Sequence, residues 1–217
     1  VFKYFSKQGY QVIAPELPIY NSSLLNTNVK FFAKFVYKFI KFKNLRDVII
    51  LGNSLGGHVG LIFSKLYPKL IKGLVLTGSS GLYENSMGDS YPKREDYNYI
   101  KERTEAVFFD PKIATKKIVD EVYETVNDRK KLIKILAMAK SAIRHNMSND
   151  LPNILAETAI IWGENDSVTP PEVADEFKKL LPNSQLFWIE NCGHAPMMEH
   201  PEKFNSVMNS WLKEKKL

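Results

Sequence analysis

Ser54 lies in "GNSLGG", flanked two residues away by Gly52 and Gly56, directly behind the apolar run "DVIIL" and ahead of "LGGHVGLIFSKLYP", which Pro68 ends. A tight turn from a buried strand into a helix needs small neighbours and holds its central residue at strained backbone angles. The amino end of the helix offers amide donors and a positive dipole to a developing oxyanion. Ser54 is therefore the candidate nucleophile. A serine hydroxyl is a poor nucleophile at neutral pH and needs an imidazole to take its proton and a carboxylate to orient that imidazole.

Of the four histidines, His194 in "NCGHAPMMEHP" is the candidate base, because it falls in the loop behind the last apolar run, with Gly193 freeing the backbone beside it. Loops at the carboxyl ends of parallel strands are where such sheets place chemistry. His58 points along the helix behind Ser54, His145 belongs to a helical insertion, and His200 follows the last run by too far; surface or packing roles are expected for all three. The carboxylate should come from the loop behind an earlier strand, and Asp166 in "IIWGENDSVTPP" meets that need; Glu164, nearer the strand end, is the weaker candidate. Asp166 and His194 are both expected on solvent-facing loops. Cys192 lies beside a strand end with no base of its own and reads as a small packing residue.

These residues must be carried by a scaffold. Short apolar runs at 10–14, 47–51, 73–77, 158–162 and 185–189 predict strands covered on both faces, hence parallel ones. Helical patterns at 1–8, 28–42, 55–66, 172–181 and 201–213 alternate with them, Gly9 stopping the first. The fold class predicted is α/β: a mostly parallel sheet wrapped by helices, with an all-helical cap insertion. Residues 1–82 and 153–217 form the two parts of the core and 83–152 the cap, where a helix is expected to open at Pro111 behind Asp110. "GSSGLYENSMGDS" is the flexible-looking exit from the sheet.

The 217 residues, 44% hydrophobic, suffice for one sizeable core. The net charge of +6 is spread over 30 basic and 24 acidic residues rather than blocked, which speaks for solubility and against a nucleic-acid partner. One cysteine excludes an internal disulfide and fits a reducing, cytoplasmic setting. In "NVKFFAKFVYKFIKFK", Lys34, Lys38 and Lys41 share one stripe, as on a membrane-surface helix; a helix packed on a sheet needs the same pattern, so no stable membrane association is expected. Neither metal nor cofactor is expected. The partner expected is a small-molecule acyl substrate, and a homodimer is allowed for.

With "GYQVIAPELP", "GNSLGG", "YPKLIKGLVLTGSSG", "IIWGENDSVTPP" and "NCGHAPMMEHPEKF" in this order, the chain resembles the α/β-hydrolase fold superfamily over essentially its whole length. The resemblance implies Ser54 as nucleophile, Asp166 as acid, His194 as base, the Leu55 amide as one half of an oxyanion hole, and the cap as roof of an acyl pocket. Asn53, Arg144 and Met197 complete the candidate set as substrate contacts, Arg144 for a substrate carboxylate. Within the superfamily, "GNSLGG" and "GHAPMMEHPEKFN" look most like carbon–carbon bond hydrolases of ring-cleavage products and related carboxylesterases. The function implied is acyl transfer to Ser54 and then to water; the alternative is a non-catalytic or slow-turnover ligand-binding member of the same fold, or an inactive fragment.

Two departures from the superfamily pattern stand out. "PELPIYNSSLL" replaces an Asp and a glycine-punctuated loop, which implies a different shape near Glu16 and Tyr20. The His-Gly segment that gives the second oxyanion amide has no counterpart. The expectation is therefore a longer hydrolase, in which an upstream strand lies between the runs at 10–14 and 47–51.

Overall fold

The computed structural model describes residues 1–84 and 93–217. The amino end forms α1 (Phe2–Lys7), and α2 (Val29–Phe42) follows behind an Asn28 cap that accepts from the Phe31 amide. The sheet then begins with β1 (Val48–Asn53), followed by α3 (Leu55–Leu66) and β2 (Ile71–Thr77). Three helices come next: α4 (Tyr97–Glu105), α5 (Lys116–Asn127) and α6 (Arg129–Arg144). The chain returns through β3 (Glu157–Gly163), α7 (Pro171–Leu180) and β4 (Ser184–Ile189), and ends in α8 (Pro196–Glu199) and α9 (Pro201–Lys215).

Among the described residues four strands pair in parallel in the order β1-β2-β3-β4. One face carries α2, α3 and α7 on a core of Phe32, Phe63, Leu76, Ile160, Trp162 and Phe177; the other carries α1 and α9 on Phe5, Val75, Ile161, Phe204 and Trp211. Burial on both faces explains why the strands are apolar on successive residues. β1 is the edge of the described sheet, and its apolar side chains remain half-exposed where those of β2 and β3 are buried.

The run at 10–14 does not become a strand. It makes no ladder bonds; the Tyr10 amide donates to Phe5 O, closing α1, and the Tyr10 hydroxyl donates to Leu217 O at 2.8 Å. Extended backbone becomes a strand only when a neighbour accepts and donates along it.

Between β2 and β3 the described residues contain helices and no strand. Residues 85–90 of the flexible-looking exit lie outside the described residues. The helix expected at Pro111 is divided: Asp110 caps a single 3-10 turn, Pro111–Ile113, and Thr115 caps α5 anew. α6 buries Met138 and Ala142 in the same core as Phe32 and Phe63, and its Ser141 hydroxyl accepts from the Val29 amide, so the last helix of the insertion is welded to α2. α2 buries Val29, Phe32, Ala33 and Ile40 and turns its lysines outward, as a sheet-packing helix does. Among the described residues no helix is long and apolar enough to cross a membrane.

Candidate active site

All four strands end at one edge, and the candidate residues lie just beyond them. At the end of β1, Ser54 has φ 51° and ψ −120°, a conformation side-chain-bearing residues rarely adopt. It is held there from both sides. Its amide donates to Thr77 O at 3.0 Å, and its carbonyl accepts from Gly57, His58 and Ser80. Leu55 opens α3, so its amide belongs to the first turn, whose N–H groups have no acceptor inside the helix.

The glycine requirement differs from the expected one. A Cβ at Gly52 would fall 2.3 Å from the carbonyl carbon of Gly56, and one at Gly57 would fall 2.3 Å from Ser79 Oγ; at Gly56 it meets nothing within 4 Å. The turn needs glycine at 52 and 57, where strand, helix and the β2 end press together.

Asp166 and His194 are brought together. His194 Nδ1 lies 2.9 Å from Asp166 Oδ2 and 3.1 Å from Oδ1. Asp166 also accepts from the Val168 and Thr169 amides at 2.9 Å and from the Thr169 hydroxyl at 2.8 Å. With Nδ1 of His194 against the acceptor oxygens of Asp166, the ring proton at Nδ1 points to that carboxyl group and Nε2 is left on the other side of the ring. The loops were expected to face solvent, but Asp166 is 2% exposed and His194 7%. The reason is contact between the loops: the Asn165 amide donates to Cys192 O, and a Cβ at Gly163 would lie 2.1 Å from Gly193 O. Glu164 is exposed, and the carboxylate at His194 Nδ1 is that of Asp166.

The elbow and the base loop meet at the β2 end. A Cβ at Gly78 would lie 2.7 Å from His194 Nδ1, and Asn53 Nδ2 donates at 3.0 Å both to Thr77 O and to His194 O. Both amide protons of Asn53 are thereby engaged, so it fastens strand end to base loop, and only its Oδ1 is left for a substrate. Arg144 stands exposed on a groove lined also by Leu25, Val29, Lys30, Ile133 and Lys140. Met197 packs against the core cluster of Phe5, Ile189 and Trp211.

Sequence reading missed two contributors. Thr169 locks Asp166, and the signal was available in an Asp followed three residues later by Thr, a side-chain turn pattern. Glu199 accepts from the Gly193 amide at 2.7 Å, and nothing in its spacing announces that. Cys192 is fully buried; burial, and next the nearby Glu199 charge, push its thiol pKa up, which keeps it protonated and unreactive. Among the described residues no group of three or more His, Cys, Asp or Glu is clustered to hold a metal ion.

Behind the elbow, His58 is fully buried with Nε2 3.2 Å from His145 Nδ1, tying α3 to the end of α6. Burial, then the His145 charge, lowers its pKa to about 3. The folded pKa is below the unfolded value, so the unfolded chain takes up a proton that the folded chain refuses. Stability is full above about pH 6.5 and falls as pH drops, by up to ~1.4 kcal/mol per pH unit. Urea unfolding is expected to show a loss of roughly 2 kcal/mol from pH 7 to pH 5 from this residue. His58→Gln should remove most of that slope; an unaltered slope would exclude His58 as its source.

Comparison with known proteins agrees with the fold. The family described as alpha/beta hydrolase fold matches residues 1–201. A solved alpha/beta hydrolase enzyme, MGS-MChE2, from a metagenome of sediments of the Mar Chica lagoon, Morocco, is 50% identical with a TM-score of 0.81, covering 99% of this chain and 83% of its own. The chain is 30% identical to the 2-hydroxy-6-oxo-6-(2'-aminophenyl)hexa-2,4-dienoic acid hydrolase of Metapseudomonas resinovorans over 82% of its length, and 24% identical to Lipase 1 of Psychrobacter immobilis over 88%. It spans 64% and 65% of those two relatives. The matched family model covers well over half of the chain, including the parallel sheet and the loops behind its strands, and the chain belongs to the alpha/beta hydrolase fold family.

Proposed function

We propose that the chain is a serine hydrolase that cleaves a small uncharged or monoanionic acyl substrate, with Ser54 as nucleophile, His194 as base and Asp166 as its orienting acid. The observation that carries the reading is the 2.9 Å contact of His194 Nδ1 with a buried Asp166, beside a serine held at positive φ. Nε2 of His194 takes the Ser54 proton as Oγ adds to the substrate carbonyl. The resulting oxyanion is met by the Leu55 amide and the positive end of α3. Collapse of the tetrahedral adduct breaks the bond to the leaving group, which takes the proton from His194 and departs, leaving acyl-Ser54. Water then gives a proton to His194 and adds to the acyl carbon, and the acid product leaves as Ser54 regains its proton.

In this reading residues 83–152 act as a cap over the acyl pocket, between core parts 1–82 and 153–217. The similarity to a hydrolase named for a hexadienoic acid and to a lipase supports carbon–carbon or ester cleavage. A competing reading, a ligand-binding member without turnover, predicts an unreactive serine. A fluorophosphonate probe is expected to label the wild type at Ser54 and not Ser54→Ala. An unlabelled wild type would sink the hydrolase reading. A panel of p-nitrophenyl esters beside a dienoate ring-cleavage product would then rank the two bond types by kcat/KM.

A further inference from the structure

Glu199 ends α8, and its two carboxylate oxygens face different parts of the fold. Oε1 accepts from the Gly193 amide at 2.7 Å, with the Cys192 thiol 3.7 Å away. Oε2 accepts from the Phe109 amide at 2.7 Å and the Asp110 amide at 3.3 Å. Phe109 and Asp110 belong to the stretch 106–110, which joins α4 to the turn Pro111–Ile113 inside the insertion. The same stretch is gripped twice more: Val107 O accepts from the His194 amide at 2.9 Å, and Ala106 O from the Ser167 hydroxyl at 2.9 Å. Contact is close enough that a Cβ at Gly193 would sit 2.7 Å from Val107 O.

We infer that Glu199 is a positioning residue for His194, a strap that joins the base loop to the insertion so that imidazole orientation and seating of the insertion are one event. This rests on the hydrolase reading above. An ionised carboxylate accepts on both oxygens and donates on neither, so it alone among side chains of this length satisfies backbone donors on two sides at once. Glutamine keeps one acceptor and aims an amide N–H group at donors on the other side, releasing either Gly193 or the Phe109–Asp110 pair. Aspartate keeps both acceptors on a shorter arm. Misplacing a reacting group by about an ångström costs on the order of 10²-fold in rate.

The full-length protein and its Glu199→Gln and Glu199→Asp variants are compared with p-nitrophenyl butyrate and by amide hydrogen exchange. In Glu199→Gln, kcat is expected to fall roughly 10- to 100-fold with little change in KM. Exchange should quicken at both 106–110 and 193–194, and Glu199→Asp should recover most of the loss. Should the glutamine variant not fold, Phe109→Pro, which deletes one donor on the insertion side, is expected to give the same split of kcat from KM. A folded Glu199→Gln with wild-type kcat, or one that loses kcat while exchange at 106–110 stays slow, overturns the strap. Wild-type labelling of Ser54 decides the hydrolase reading separately, since it does not depend on comparing these variants.

Discussion

His194→Ala is expected to lower esterase turnover by ~10⁴- to 10⁶-fold, and Asp166→Asn by about 10⁴-fold, because the first removes the base and the second leaves the imidazole without the acceptor that sets its tautomer. Glu164→Gln should do little, since Glu164 is exposed and His194 Nδ1 is taken by Asp166. The two active-site substitutions should also differ in stability. Asp166 is 2% exposed and accepts from two amides, a hydroxyl and an imidazole. An asparagine amide there would face donors and leave at least one buried group unpaired, at ~1–3 kcal/mol. Initial rates with a p-nitrophenyl ester, paired with urea unfolding, read both effects. If Glu164→Gln were the crippling change and Asp166→Asn the mild one, the acid assignment would be wrong.

Gly52→Ala is expected to destroy the elbow, whereas Gly56→Ala should leave the fold intact. The added methyl at 52 would lie 2.3–2.4 Å from the Gly56 carbonyl and the Gly57 nitrogen. Backbone at the first turn of a buried helix cannot give way as a flexible side chain can, so the cost should reach about 3 kcal/mol or more, with loss of fluorophosphonate labelling at Ser54. At position 56 a methyl meets nothing within 4 Å. Alanine there should be neutral to stabilising by up to ~1 kcal/mol, as glycine is the poorer helix former. Thermal melts of the two variants make the comparison directly. Equal melting temperatures would mean that the strand and helix at this turn can separate to admit a side chain.

Elements governed by local chemistry were legible in the sequence. The helices at 28–42, 55–66 and 201–213 show apolar stripes or abrupt Gly and Pro stops, and all are present as α2, α3 and α9. Four of the five predicted strands pair in parallel, because an apolar run between turn signals with helices on both sides has few other ways to bury itself. The Ser54 turn and the spacing of Asp166 and His194 were visible for the same reason: each depends on a strand end and the few residues behind it.

What depended on partners distant in the chain was decided by the tertiary structure. The run at 10–14 has the composition of a strand, but pairing is a property of two segments, and it has no ladder partner. Asp166 and His194 look like open-loop residues until the loops close on each other through Asn165, Gly163 and Cys192. Asn53 could read as a substrate contact, yet its amide protons reach Thr77 and His194, 24 and 141 residues away. Gly57 rather than Gly56 proves to be the crowded position because Ser79, at the end of a different strand, occupies the space a side chain would need. The sequence by itself determined the strand-to-helix turn at Ser54, the helices between β2 and β3 and the parallel class, since these follow from periodicity and turn chemistry within some ten residues. Only the folded chain decided burial, register and the Glu199 bridge, since those come from backbone donors and acceptors that meet after the strands align.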